Sequence, residues 1–338
     1  MAALAPPVAA TRVAVRRALA GLPGAGPVLV ACSGGADSLA LAAATAFVAP
    51  RLGRAAGLVT VDHGLQPGSA ERAAAVARWA VEAGLDPVES VPVTVAGRPG
   101  GPEAAAREAR YEALTSAARR HDAVALLVGH TRDDQAETVL LALARGSGPR
   151  GLAGMPERRD LAGVPLLRPL LDVTREQTRK ACAALGLTPW DDPHNVDPSY
   201  ARARVRADVL PALARALGPA VRDNLARTAR LVGADSAALD ELAAAALAAA
   251  PAAAPPPSGV RAVEGGLRVT ALAALPAAVR TRVLHAWARE LGAYGAALSH
   301  RHVAALDALV TDWHGQGATA LPGGVRVVRR DGRLVRLD

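Results

Sequence analysis

The sequence predicts an α/β fold in which a parallel sheet carries helices on both faces, followed by a helical linker and a small α+β domain. Short apolar runs alternate with stretches of helical spacing over the first part of the chain. Such uninterrupted runs are typical of strands in parallel sheets that are buried on both faces. The 338 residues suffice for two domains or three small ones. We therefore assign residues 1–217 to the sheet domain, 218–258 to the linker and 259–338 to the small domain.

The elements of the sheet domain follow from this alternation. A first helix is expected over residues 8–20, and further helices start at Asp37, Ala70 and Pro102. The predicted strands are Val28–Ala31, Gly57–Asp62, Val88–Thr94 and Ala123–Val128. Ligands of parallel sheets bind beyond the carboxyl ends of the strands, so the polar residues that follow these strands form the candidate site.

The first strand leads into a glycine-rich turn that we interpret as a phosphate site. Its residues are Ser33, Gly34, Gly35, Ala36, Asp37 and Ser38. Glycines let the backbone turn tightly, and the free N–H groups at the start of the next helix attract an anion. A Walker A loop would need a lysine here and a dinucleotide fingerprint a third glycine, so both are excluded. The alternative is a plain Gly-Ser turn into a helix.

Polar residues also follow the second strand. Asp62 and His63 stand where the nucleoside of a nucleotide would lie if its phosphates occupied the first turn, which suggests a ribose or base contact. The alternative is that Asp62 caps a turn and that His63 is merely exposed.

The helix predicted over Pro102–Arg120 carries two arginines and a tyrosine on one side. Arg107, Arg110 and Tyr111 are spaced so that they share that side. They could face a phosphate or a nucleotide. A solvated face with an ion pair between Glu103 and Arg107 would produce the same pattern, and such surface pairs contribute little to stability.

An acidic segment, Gly129 to Thr138, follows the fourth strand. Thr131 and Asp134 fit a capping box at the start of a helix, which explains one carboxylate without any chemistry. Asp134 and Glu137 lie three residues apart and project together. They could hold an ammonium group or, with Asp37, a magnesium ion.

Composition indicates a soluble, globular protein, and its charge balance is compatible with a polyanionic partner. The net charge is +8, carried by 38 arginines and one lysine, and residues 251–338 alone carry +5. This balance fits RNA.

Cys32 and Cys182 are isolated and form no CxxC pair, so we expect a cytoplasmic location and no disulfide scaffold. No signal peptide is apparent, and the longest uncharged run, Leu242 to Val260, contains four prolines, so we expect no membrane segment.

The remaining segments give weaker evidence about structure and function. Arg145 to Met155 is too glycine-rich for regular structure and is interpreted as a mobile loop over the site, or as a passive surface connection. A helix is expected over residues 219–248, ended by the proline-rich stretch Pro251 to Ser258. The small domain should hold helices near Ala277–Leu291 and Ser299–Val310 and three short strands at its end. Its candidate RNA-phosphate contacts are Arg280, Arg282, Arg289, Arg301, Arg326, Arg329 and Arg330.

Together these motifs resemble the tRNA(Ile)-lysidine synthetase family of PP-loop ATP pyrophosphatases. The matching segments, in family order, are SGGADS at 33–38, GHTRDDQAET at 129–138, RGSG at 145–148 with GLAGM at 151–155, LRPL at 167–170, REQ at 175–177 and WDDPHNVD at 190–197 with YAR at 200–202. The resemblance covers about residues 25–215 and departs at Ala203, where the family usually has asparagine.

The resemblance implies an ATP-dependent ligase. The family adenylates the carbonyl oxygen on C2 of the wobble cytidine in the CAU-anticodon isoleucine tRNA, with release of diphosphate, and then joins free lysine to C2 with release of AMP. It implies ATP contacts by Ser33, Gly34, Gly35, Ala36, Asp37, Ser38, Asp62, His63 and His130. It implies that Asp37 serves Mg²⁺, and that the catalytic set is Asp37, Arg110, Asp134 and Glu137. It also implies that lysine or tRNA is contacted by Asp134, Glu137, Arg107 and Arg202.

Three alternatives stay open at this point. A PP-loop tRNA thiolase is the nearest rival, although thiolases generally use cysteine pairs or an iron–sulfur cluster. A non-catalytic nucleotide- or RNA-binding protein could keep the same fold. Arg202, Arg204 and Arg206 could also form a solvated helix face rather than a ligand contact. A homodimer is a further option that the sequence does not decide.

Overall fold

The structure is a computed structural model that describes residues 4–64, 66–95, 102–193, 197–248, 266–293 and 297–337. The chain divides into two units, Met1–Gly233 and Ala234–Asp338. The sequence-based division at residues 217 and 258 stays a prediction.

The first unit is built on a six-stranded sheet whose central strand, β1 (Val28–Ala31), is almost entirely buried. The other strands are β2 (Ala56–Asp62), β3 (Val88–Pro92), β4 (Ala125–Val128), β5 (Arg158–Leu161) and β6 (Val164–Leu167). Their order is β3-β2-β1-β4-β6-β5. All neighbouring pairs are parallel except β5 with β6. The parallel sheet is therefore confirmed. The hairpin β5–β6 was not predicted, because exposed β5 has the charged sequence RRDL and no apolar face.

Helices cover both faces of this sheet, as predicted. Alternate residues of β1 point to opposite sides, so Val28 and Val30 join one core cluster and Leu29 another. The first cluster packs under α1 (Pro6–Leu19), α2 (Ala36–Val48), α3 (Ser69–Glu82) and α7 (Arg175–Ala184). The second packs under α4 (Pro102–Arg120), through Leu114. The remaining helices are α5 (Arg132–Ala144), α6 (Pro149–Leu152), α8 (Ala201–Arg204), α9 (Leu210–Leu217) and α10 (Val221–Ala248), with one π-helical turn at Val205–Val209.

The glycine-rich segment after α5 contains regular structure, which corrects the sequence-based expectation. Its centre forms the single helical turn α6, which begins with Pro149 in a position that suits proline. The far end is tied to α5, because the Gln135 side chain accepts a hydrogen bond from the Met155 N–H (2.7 Å) and donates one to the Met155 carbonyl (2.8 Å). Gly154 has φ 64°, a backbone conformation that glycine adopts without steric strain because it has no Cβ.

The second unit is a small α+β domain, in agreement with the sequence. Its antiparallel sheet has the order β7-β10-β9-β8, from β7 (Leu267–Arg268), β8 (Thr319–Ala320), β9 (Arg326–Arg330) and β10 (Arg333–Leu337). Helices α11 (Val269–Ala273), α12 (Ala277–Glu290) and α13 (His300–Thr311) pack around a core that includes Leu284, Leu306 and Val327. The predicted break over Pro251–Ser258 lies outside the described residues. Within the described ranges, no helix combines the length and apolar character of a membrane span.

Candidate active site

The turn between β1 and α2 has the shape of a phosphate-binding loop. Gly34 has φ 84°, a conformation that favours glycine, and a Cβ there would lie 3.1 Å from Cγ2 of Val76. The Ser38 hydroxyl holds the turn closed: it donates to the Gly35 carbonyl (2.9 Å) and accepts from the Ser33 N–H (3.2 Å). Helix α2 then begins at Ala36, so its first N–H groups face the turn.

The segment around Trp190 supports the same turn from outside. The Trp190 N–H donates to the Gly34 carbonyl (3.0 Å). The Trp190 ring lies under the guanidinium of Arg72 at 4.2 Å, and Gln66 donates to Asp192 (3.0 Å). Residues 190–192 therefore contact both the phosphate turn and the N-terminal part of α3.

The carboxyl end of β2 lies beside the turn, because β2 neighbours β1 in the sheet. Asp62 accepts a hydrogen bond from the Gly64 N–H (3.0 Å), so its turn-capping interpretation is correct, whether or not it also contacts a ligand. His63 accepts from Nε of Arg110 at 3.2 Å. Burial, and then the charge of Arg110, lower the pKa of His63 to about 4, so the ring is neutral near pH 7. The structure thus brings Arg110 of α4 to the end of β2.

Asp37, in the first turn of α2, lies against α7. Thr178 donates a hydrogen bond to its Oδ1, and the Arg175 Nε lies 3.6 Å from its Oδ2. Burial raises the pKa of Asp37 to about 6, against the opposing effects of Thr178 and Arg175. Because burial disfavours the charged form of this carboxylate, a cation bound beside the phosphate turn would stabilise it.

Asp134 and Glu137 project from α5 into the same cluster. Asp134 Oδ2 accepts from the N–H (2.7 Å) and the hydroxyl (2.8 Å) of Thr131, which confirms the capping box. Its Oδ1 accepts from Arg175 (2.9 Å). Burial opposes its charged form, but Arg175 and the Thr131 donors outweigh that effect and lower its pKa. The Glu137 side chain is fully buried and accepts from Arg175 (3.2 Å) and from Arg206 Nε (2.8 Å).

Arg202 and Arg206 face this cluster, whereas Arg204 is exposed, so the alternative of a solvated helix face holds for Arg204 alone. Arg202 lies 3.4 Å from Glu137 Oε2 and donates to Thr138 (2.9 Å), while Arg206 binds both oxygens of Glu137. Arg204 instead donates to the carbonyls of Pro198 and Ser199. Ala203, the departure from the family pattern, is buried.

His130 follows β4 and lies among charged groups. Burial lowers its pKa to about 4; Asp134 opposes the shift, while Arg168, Arg202 and Arg107 add to it. Its Nδ1 is buried and has no hydrogen-bond partner among the described residues, as is also true of His63 Nδ1. Buried polar atoms normally have partners, so these two nitrogens fit contact with a bound molecule. Arg107 itself is exposed, with its guanidinium 5.0 Å from the Tyr111 ring.

Sequence reasoning missed two of the groups that organise this cluster. Arg175 contacts Asp37, Asp134 and Glu137, and Arg206 binds Glu137, yet neither was assigned a role. A usable signal was present for Arg175, since Thr174 and Gln177 form a capping box that starts α7 directly before it. In the described residues, no group of three or more His, Cys, Asp or Glu side chains is arranged to hold a metal ion.

The two units match two family models. Residues 11–213 match the PP-loop domain, and residues 267–335 match the TilS substrate binding domain. Among solved structures, a U34-tRNA thiolase from Methanococcus maripaludis with its [4Fe-4S] cluster has a TM-score of 0.55 at 20% identity, covering 67% of this chain and 80% of that one. At that identity the likeness shows a shared fold only.

Curated relatives match over nearly the whole chain. The tRNA(Ile)-lysidine synthase of Salinispora tropica is 74% identical over 338 residues, covering 100% of this chain and 98% of the relative. That of Thermobifida fusca is 54% identical over 330 residues, covering 98% and 97%. The motifs, the arrangement of the site and these matches agree: the chain belongs to the tRNA(Ile)-lysidine synthase family.

Proposed function

We propose that this chain is an ATP-dependent ligase that joins free lysine to C2 of the wobble cytidine in the CAU-anticodon isoleucine tRNA. The observation that carries the proposal is the meeting of a phosphate-binding turn with a cluster of carboxylates at the carboxyl ends of β1 and β4, in a chain of this family. ATP adenylates the C2 carbonyl oxygen with loss of diphosphate. The lysine ammonium then loses a proton, the neutral amine attacks C2, and AMP leaves.

The turn from Ser33 to Ser38 is assigned to the phosphates of ATP. Its N–H groups and hydroxyls offer donors at the positive end of α2. Mg²⁺ is commonly bound by one or two carboxylates together with substrate phosphates, and the partly exposed Asp37 supplies one carboxylate beside the turn. The unpartnered nitrogens of His63 and His130 support the assignment of Asp62, His63 and His130 to the nucleotide.

Asp134 and Glu137 are assigned to the lysine ammonium, with Arg202 toward the lysine carboxylate and Arg107 and Arg110 toward ATP and cytidine. Arg175 and Arg206 contact the two acidic side chains. Binding of an ammonium there therefore requires a guanidinium to move aside. Carboxylates that hold the amine in place also align it for attack, which accounts for much of the rate gained from positioning.

The test is ligation of labelled lysine to an unmodified isoleucine tRNA with ATP and Mg²⁺. We expect label in the tRNA and stoichiometric AMP, both reduced more than about 100-fold by Asp134→Asn, because a neutral amide holds an ammonium poorly. The control is Glu82→Gln, which removes an exposed carboxylate at the end of α3. Full activity of Asp134→Asn, or label without ATP, would refute the proposal. Sulfur transfer to tRNA would favour the thiolase instead.

The proposal also assigns residues 1–217 to catalysis, 218–258 to a linker and 259–338 to tRNA binding. A cytoplasmic location is part of it, since both cysteines, Cys32 and Cys182, are buried free thiols. A homodimer stays a prediction that sedimentation equilibrium can test.

A further inference from the structure

Arg168, the residue directly after β6, is a buried cation that has no assigned contact with a substrate. Only 4% of its surface is exposed, and its guanidinium faces no carboxylate in the part of the chain that the structure describes. Burial lowers its pKa, and the charges of Arg159 and Arg107 act in the same direction. A buried charge without a counter-ion costs stability, so the groups that accept its hydrogen bonds indicate what the side chain does in the fold.

The hydrogen bonds of Arg168 connect the segment after α6 to helix α4. Its Nη1 donates to the Pro156 carbonyl (2.7 Å), and its backbone N–H donates to the Glu157 carbonyl (2.8 Å). Its side chain is also hydrogen-bonded to Tyr111 of α4. A guanidinium offers several donors in a rigid fork, so one side chain can fix two groups at once. Arg168 therefore fixes Tyr111 relative to the segment that precedes β5.

Tyr111 links Arg168 to an arginine that the proposed function assigns to the substrates. The Tyr111 ring packs against the core cluster under α4, and the Arg107 guanidinium lies over that ring, 5.0 Å from its centre. A guanidinium is attracted to the negative face of an aromatic ring. Tyr111 is thus held at its hydroxyl by Arg168 and supports Arg107 with its ring.

The linked side chains lie near His130, which follows β4. Strands β4 and β6 are parallel neighbours, so the residues that follow them lie at the same edge of the sheet. Burial lowers the pKa of His130, and the charges of Arg168 and Arg107 contribute in the same direction, which places both guanidinium groups near that ring. Arg168 therefore lies where α4 meets the carboxyl end of β4.

We propose that Arg168 is a positioning residue for the ligation reaction, which holds Arg107 in place for the substrates by fixing Tyr111. The inference rests on the proposed function, because that function assigns Arg107 to ATP and the cytidine. Arg168 is too deeply buried to meet a substrate itself, so it acts through the residues that it holds. A residue needed only to fill this space could be apolar and would not bury a charge.

The test is a double-mutant cycle on ligation kinetics with Arg168→Met, Tyr111→Phe and the double variant. Tyr111→Phe keeps the ring under Arg107 but removes the hydroxyl that Arg168 holds. We expect Arg168→Met to lower kcat/KM for tRNA by about 10-fold to 100-fold, because a displacement of about 1 Å can cost about 100-fold. Tyr111→Phe should lower it as well. The double variant should be about as slow as Arg168→Met, because both substitutions break the same connection.

Three controls locate the effect. Arg159→Gln removes an exposed arginine from the neighbouring strand β5 and should leave kcat/KM unchanged. The KM for lysine should stay the same in Arg168→Met, because Arg175 and Arg206 hold the carboxylates that are assigned to lysine. A second cycle, with Arg107→Gln and Tyr111→Phe, should also be non-additive, since Arg107 is the group that is displaced.

A purely structural role gives a different result. It would lower the melting temperature but leave kcat/KM of the folded variants unchanged well below melting. That result, or additive effects in either cycle, would overturn the inference. If Arg168→Met does not fold, Tyr111→Phe decides, and unchanged kcat/KM for tRNA in that folded variant would overturn it. Absence of ligation by the unmodified chain would instead count against the proposed function.

Discussion

At Arg175 one guanidinium group joins carboxylates from two helices. It lies against Asp37 of α2 and against Asp134 and Glu137 of α5. These carboxylates repel each other when they are left without a cation, and the nearly buried setting strengthens that repulsion. The contacts raise the pKa of Arg175 even though burial acts in the opposite direction. Arg175 therefore links the carboxylates of the two helices.

We predict that Arg175→Ala lowers the free energy of unfolding by about 3 kcal/mol, because it leaves largely buried carboxylates short of a partner. Urea unfolding measures the change. Arg179→Ala is the matched control on the same helix: its ion pair with Asp191 is exposed, and its loss should cost less than about 1 kcal/mol. Equal losses for both variants would contradict a central role for Arg175.

Asp37 illustrates a conflict between stability and function at a single residue. Burial raises its pKa from 3.8 to about 6. Between those values the folded state binds more protons at this group than the unfolded state does, so its contribution to stability falls as the pH rises. Above about pH 6 the charged carboxylate lowers the free energy of unfolding of the metal-free protein, compared with a neutral group at this position.

We predict that Asp37→Asn stabilises the metal-free, nucleotide-free protein at pH 8 by about 1 to 3 kcal/mol, since the amide keeps an oxygen for Thr178 but carries no charge. The gain should shrink as the pH falls and vanish near pH 4, where Asp37 of the unmodified chain is itself protonated. Urea unfolding across this range, in EDTA, gives the measurement. A gain that does not vary with pH would contradict the stated cause. The same variant should lose ligase activity.

At the scale of elements, the meeting of β4 with the start of α2 sets the position of the phosphate turn. Gly129 directly follows β4, and a Cβ there would lie 3.0 Å from the carbonyl carbon and oxygen of Asp37 and 3.1 Å from Cα of Ser38. These atoms are backbone and cannot swing away as a side chain would. Only glycine lets the strand and the helix approach so closely.

We predict that Gly129→Ala displaces the first turn of α2, destabilises the protein by about 1 to 3 kcal/mol and weakens ATP binding. Gly21→Ala is the control, because nothing lies within 4 Å of its added Cβ. Calorimetric titration with an ATP analogue measures the affinity. Unchanged affinity in a Gly129→Ala protein that is still folded would show that the turn tolerates the shift.

At the scale of the whole molecule, the two units have separate cores and separate buried ion pairs. In the second unit Arg280 and Asp307 join α12 to α13, and the Arg280 side chain is only 10% exposed. The contact is structural, so its loss should act on the second unit and not on the chemistry of the first.

We predict that Arg280→Ala lowers the stability of the second unit by about 3 kcal/mol, because it leaves the Asp307 carboxylate without its partner. Limited proteolysis within residues 266–337, together with calorimetry, follows the loss. ATP affinity should be unaffected. Arg289→Ala, an exposed position on the same helix, provides the comparison and should change stability by less than about 0.5 kcal/mol.

Features that depend on neighbours along the chain can be predicted from the amino-acid sequence. The strand and helix alternation, the glycine turn before α2 and the Thr131–Asp134 capping box are local patterns, and all are present in the structure. Local steric and hydrogen-bonding preferences act over a few residues, so they can be inferred without the fold.

Contacts between groups that are distant along the chain, by contrast, depend on the fold. Thr178 and Asp37 are 141 residues apart, and Arg168 meets Tyr111 only because α4 packs against the sheet. The fold likewise places Arg175 among the carboxylates and pairs Arg280, a candidate for RNA contact, with Asp307. Such contacts depend on how elements pack across the sheet, and the spacing of residues along one element carries no information about its partner.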